Sequence, residues 1–113
     1  MPYDQQLAER VSRAFEAEGL VFEVKKMMGG LCFMVEGKMC VGVADNRLMA
    51  RIDPAAEADA LRQPGCKPMD FTGRPMRGFV FIEPSGTHTP EQLTAWLELA
   101  LAFNPKAKAS KKR

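Results

Sequence analysis

The sequence predicts a two-layer α+β domain in which helices cover one face of a mostly antiparallel sheet. Two capped segments of helical spacing lie near the ends of the chain. Between them come runs of alternating apolar residues, joined by turns too short for crossovers. The third observation is size: 113 residues, 46% hydrophobic and 27% charged, fit one globular domain able to bury roughly 65% of its unfolded surface. The predicted order is α, three or four β, α, two β, α.

The first helix is legible in "YDQQLAERVSRAFEAEG". Asp4 is placed to cap the first free amides, Leu7, Ala8, Val11, Ala14 and Phe15 share one stripe, and Gly19 supplies a left-handed end. The next segment, "LVFEV" from Leu20 to Val24, reads as a short strand leading through Lys25 and Lys26 to a double glycine.

From Leu31 to Ile52 the pattern is a meander whose register follows from the demand that one face be apolar. With Glu36-Gly37-Lys38 as a three-residue loop, Val35 opposes Met39, Phe33 opposes Val41 and Leu31 opposes Val43. A two-residue loop would put Lys38 and Gly42 among apolar side chains, and is rejected on that ground. Asp45-Asn46 suits a two-residue turn, which pairs Val43 with Leu48 and Val41 with Ala50 and carries the apolar face on to Ile52. The opposite face then holds Cys32, Met34, Cys40, Gly42, Met49 and Arg51. That soft, methionine-rich surface suits a partner, a second copy of the chain, or a helix of the same fold.

A short second helix is announced by Asp53 as cap, Pro54 at the first helical position and Pro64-Gly65 as terminator. Two strands follow, a short one near Met69 to Phe71 and a stronger one from Arg77 to Ile82, joined through Thr72-Gly73-Arg74-Pro75. Pro68 and Pro75 lack backbone donors and belong at strand ends or edges. In the last helix Thr89, Pro90 and Gln92 form a capping box, and Leu93, Trp96, Leu97, Ala100 and Phe103 form the buried stripe. Asn104-Pro105 stops it.

Formal net charge is +2, but its distribution is uneven. Of the 16 basic residues, five lie in the closing "KAKASKKR" (Lys106, Lys108, Lys111, Lys112, Arg113), which has no acidic residue. The rest of the chain is therefore net acidic, so nucleic-acid attraction would come from this tail alone. Residues 1–104 are expected to form the domain and 105–113 a basic, disordered tail. The three cysteines occur in no CxxC spacing, which argues against both a disulfide framework and a zinc knuckle. No apolar run approaches the roughly 20 residues of a membrane span, and the N-terminus lacks the charged-then-apolar order of a signal peptide, so the expected setting is cytoplasmic.

Catalytic constellations are scarce. "MMGGLCFM" contains neither GxxxxGK[ST] nor GxGxxG and leads into a strand, which argues against a phosphate loop. Gly29 and Gly30 read instead as a bulge or a close backbone approach. A nucleophilic cysteine needs a base, and the sole histidine, His88, lies in the polar loop "SGTHTP". An enzyme built on Cys66 or Cys32 would show one thiol of depressed pKa. The carboxylates Asp4, Asp45, Asp53, Glu91 and Glu98 all fall at caps, turns or helix surfaces. Arg74 and Arg77 flank the last hairpin and suit an anion or a partner carboxylate. Binding is favoured over catalysis, with no cofactor and no metal.

"KMMGGLCFMVEGKMCVGVADNRLMARID", "PMDFTGRPMRGFVFI" and "LTAWLELALAF" together resemble the N-terminal domain of the TfoX/Sxy family, over about Leu7 to Phe103. The most specific positions are Met27, Gly29, Gly30, Gly37 and, in "DFTGRPM", Gly73. The resemblance implies a small α+β domain arranged like the secretion chaperones, with no catalytic residues to carry over. It also implies a stand-alone member of a family whose better-known proteins regulate natural competence together with a transcriptional activator. The expected function is that of a non-enzymatic regulatory or adaptor module. It would bind a protein partner, such as a transcriptional regulator, or form a homodimer through Cys32, Met34, Cys40, Met49 and Arg51. The alternative is a nucleic-acid-associated regulator that uses the basic tail.

Overall fold

The computed structural model describes the backbone of residues 4–27, 30–71 and 74–106, and their side chains except at 27, 69–71 and 74–77. Helix α1 (Gln5–Ala17) precedes a meander of four strands, β1 (Glu23–Met27), β2 (Gly30–Val35), β3 (Lys38–Ala44) and β4 (Arg47–Arg51). A 3-10 turn (Pro54–Ala56) enters the short helix α2 (Glu57–Ala60), followed by β5 (Cys66–Phe71) and β6 (Arg74–Ile82). A second such turn (Pro84–Gly86) leads to α3 (Pro90–Phe103), and a third (Asn104–Lys106) closes the described chain. All ladders are antiparallel, and the sheet order is β1-β2-β3-β4-β6-β5.

The helices share one side of the sheet. Leu7, Val11 and Phe15 of α1, Ala60 of α2, and Leu93, Trp96, Leu97 and Ala100 of α3 form one cluster with Phe33, Val41, Val43, Leu48, Ala50, Ile52, Val80 and Ile82. Leu48 and Ile52 are completely buried, and each such side chain contributes roughly 1.5–3 kcal/mol through the apolar surface removed from water.

Both long helices start as the sequence predicts. The Asp4 carboxylate accepts from the amides of Gln6 (2.9 Å) and Leu7 (3.2 Å), and the Asp4 amide donates to Asp45 O (2.6 Å). The last of these bonds pins the start of α1 to the β3–β4 turn. At α3 the Gln92 amide donates to Thr89 Oγ1 and the Thr89 amide donates to Gln92 Oε1, both at 3.1 Å. Phe103, expected on the buried stripe, is only half-buried, because α3 ends there.

The first strand begins later than its hydrophobicity suggests. "LVF" is apolar, yet Leu20 and Phe22 pack on the core from an irregular segment, with the Phe22 ring 5.4 Å from Phe15 and 6.0 Å from Phe33. The strand itself is the charged "EVKKM", defined by its pairing with β2. The fifth strand likewise starts at Cys66, three residues before the expected Met69. Pro68 sits on this outer strand, and Pro75 lies in the part of β6 beyond its pairing with β4.

The β2–β3 hairpin corrects the predicted register at one point. Leu31 does oppose Val43 and Phe33 does oppose Val41, but then Met34 opposes Met39 and Val35 opposes Lys38. The turn is the two-residue Glu36-Gly37, with both residues at positive φ (55° and 77°), and Cys40 is the extra residue of a β-bulge. The bulge removes the objection to a two-residue loop by absorbing the residue that would otherwise reverse the faces of β3. Lys38 does turn toward the helices, and its Nζ donates to the carbonyls of Asn104 (3.3 Å) and Pro105 (3.4 Å) at the end of α3. The Asn104 Nδ2 returns a bond to Val35 O (3.1 Å), joining hairpin and helix.

Candidate functional site

The second sheet face carries a separate small cluster. Met49 and Phe81 are its buried members, with Met39, Ala44 and Phe79 packed against them. Ladder partners share a face, so β4 places Arg47, Met49 and Arg51 here, β6 places Phe79 and Phe81, and β2 places Cys32 and Met34. The Arg47 guanidinium lies 3.9 Å from the centre of the Phe81 ring and that of Arg51 lies 5.3 Å from Phe79. Arg47 also pairs with Asp45 at 3.6 Å. Among the described residues, no helix contributes to this cluster.

Of the predicted contact residues, Cys32, Met34, Met49 and Arg51 share this face, and Cys40 does not. The side chains on either side of a bulge point the same way, so Cys40 joins Val41 in the helix-side core, where it is 1% exposed. Cys32, Met34 and Met49 are themselves buried at 5–6% exposure. Solvent therefore meets this face chiefly through half-buried Met39, Phe79, Arg47 and Arg51. Met39 was missed because the three-residue loop set it opposite Val35 on the helix-side face, and Phe79 and Phe81 because the β4–β6 pairing joins segments about thirty residues apart, whereas Arg47 shares the alternation of Met49 and Arg51. The alternation in "FVF", with Val80 in the core and phenylalanines on either side, was the available signal.

The family-motif positions have structural tasks. A Cβ on Gly30 would run into Val43 O, so glycine permits the close approach of β2 to β3 that the sequence suggests. Gly37 forms the turn, and the backbone of Met27 pairs with Gly30. Gly29 and Gly73 lie outside the described residues, as do Lys108, Lys111, Lys112 and Arg113 of the tail. Lys106 belongs to the closing 3-10 turn, with its Nζ 4.0 Å from Asp53 Oδ2.

None of the three thiols shows the depressed pKa expected of a nucleophilic cysteine. Burial raises the Cys32 thiol and pushes Cys40 up to about 12, while burial and then the Glu57 carboxylate push Cys66 up to about 11. All three are free and buried, and His88 is exposed. Among the described residues no three of His, Cys, Asp and Glu are grouped to hold a metal ion, and no helix is long and apolar enough to cross a membrane.

A feature absent from the sequence reading is an open cleft of about 480 Å³ between α2 and α3, lined mainly by small and apolar residues including Ala56, Ala60, Pro64, Ala95 and Leu99. Trp96 forms part of its wall, and its indole N–H is already committed to Gly86 O at 3.2 Å.

A helix-on-sheet α+β domain with an arginine-topped aromatic face on its other side is what the residues build. The chain belongs to the TfoX N-terminal domain family, whose pattern matches residues 5–104. Comparison with curated proteins and with solved structures finds no match.

Proposed function

We propose that the chain is a non-enzymatic regulatory or adaptor module, related to the N-terminal domain of TfoX regulators, that acts through protein–protein contacts of the second sheet face. The observation that carries this reading is the stacking of Arg47 on Phe81, beside half-buried Met39 and Phe79, on a face with no helix across it among the described residues. Arginine, methionine and aromatic residues are the types enriched where proteins meet, and arginine over an aromatic ring offers a partner both a charge and an apolar surface. Lys25 and Lys67 lie at the margins of this face by register, so the complementary partner carries apolar and acidic groups, a transcriptional regulator among the candidates.

The second reading, association with nucleic acid, rests on the basic tail beyond Pro105. Affinity capture at low and high salt separates the two, comparing the intact chain, a chain ending at Lys106, and an intact Met39→Lys/Arg47→Glu variant. A protein retained at high salt by the first two and lost from the third supports the adaptor reading. Nucleic acid retained at low salt by chains with the tail, whatever the face, would displace it.

A further inference from the structure

We propose that two copies of this chain associate through their β1 strands, antiparallel and centred on Val24, to form one continuous sheet. Among the described residues β1 is paired on one side only, so the backbone groups along its outer side are available to another strand. The other outer strand, β5, is blunted by Pro68 and by a register irregularity between Pro68 and Asp70, whereas β1 holds five successive regular pairs and no proline. Among the described residues, the large hydrophobics left exposed are Val21 (88%) and Val24 (46%), and both lie at this edge.

The sequence of the edge selects the register. A two-fold axis perpendicular to the sheet keeps the same face up in both copies, and residues opposite one another must share a face. The centre of symmetry must therefore fall on a residue. Centring on Lys25 stacks Lys25 on its own copy, a like-charge pair that opposes association. Centring on Val24 places Val24 against Val24, and Glu23 against Lys25 of the second copy, twice. In that register Lys25, which alone would guard an open edge, becomes half of an ion pair. Val24 also lines the shallow groove between α1 and the sheet edge, with Leu31 and Phe33, so the second strand covers apolar surface as well as hydrogen-bonding groups. The contact is small for a protein interface, and half-dissociation belongs in the roughly micromolar range.

The test is sedimentation of the full chain from about 1 to about 500 µM, a span that brackets weak dimers, with Glu23→Lys and Lys25→Glu variants. Both positions are exposed, so the fold is retained. The unaltered chain is expected to show a monomer–dimer equilibrium, and each variant alone to associate on the order of ten-fold or more weakly, since each puts like charges opposite one another. An equal mixture of the two is expected to recover the dimer, because every facing pair is then opposite in sign. A chain that stays monomeric throughout, variants that dimerise unchanged, or a mixture that does not recover would each overturn the proposal.

Discussion

The Cys40 thiol, 1% exposed among apolar side chains, is stable there only in its protonated form. Its pKa is raised from an ordinary 9.0 to about 12, so the stability it contributes is fully present below pH 9 and is lost as pH rises toward 12. Cys66, raised to about 11, adds to the same window. Chemical denaturation at a series of alkaline pH values should therefore show stability falling above pH 9. A Cys40→Ala variant should be less stable at pH 7 by about 1–2 kcal/mol, from the lost sulfur volume, but should fall less steeply on the alkaline side. An equal alkaline slope in variant and parent would show that Cys40 is not the titrating group. At this scale the sequence was a fair guide to which residues are caps, turns or core. It misled at Cys40, because alternation assigns a face only while a ladder stays regular.

At the scale of elements, the junction between the β2–β3 hairpin and the end of α3 shows how a polar residue enters an apolar layer. Lys38 looks wrong on the helix side by hydrophobicity, yet the last carbonyls of a helix have no partners within it and carry partial negative charge. The Lys38 ammonium meets the Asn104 and Pro105 carbonyls in the 3-10 turn that continues α3, just past those last carbonyls, and Asn104 bonds back to Val35. Lys38→Ala or Asn104→Ala should each lower the unfolding free energy by about 1–2 kcal/mol in urea, and the double variant should lose less than the sum, because the two bonds brace the same junction. Full additivity would mean that they act separately. Both helix ends and the Asp45-Asn46 turn were legible because their signals are local. The start of β1 was not, because Phe22 packs against Phe15 and Phe33, and Leu20 against the core, instead of pairing in a strand.

At the scale of the molecule, the proposed function divides stability and recognition between the two sheet faces. Leu48 and Met49 are neighbours in β4, but Leu48 belongs to the large helix-side core and Met49 to the small cluster under the arginines. Leu48→Ala should cost about 2–5 kcal/mol in denaturant unfolding, while Phe79→Ala, from a half-buried site, should cost less than about 2 kcal/mol and weaken partner capture. A Phe79→Ala loss as large as that of Leu48→Ala would make the second face part of the folding core. The composition of this face could be read from strand alternation. Arg51 was among the residues so read, but Phe79 and Phe81 were not, because their strand arrives only after α2 and β5, and Met39 was not, because the bulge shifts the register of β3.

The bulge at Cys40 also bears on how this chain tolerates changes of length. Deleting one residue from a regular strand turns every later side chain to the wrong face. Here Phe33 and Val41 are paired on one side of Cys40, and Met34 and Met39 on the other. Losing Cys40 alone would bring those two pairs into a regular ladder, with the turn, the Lys38 contact and the apolar face of β3 all keeping their places. The hairpin thus holds one position at which evolution can shorten the strand without rewriting the pattern beyond it.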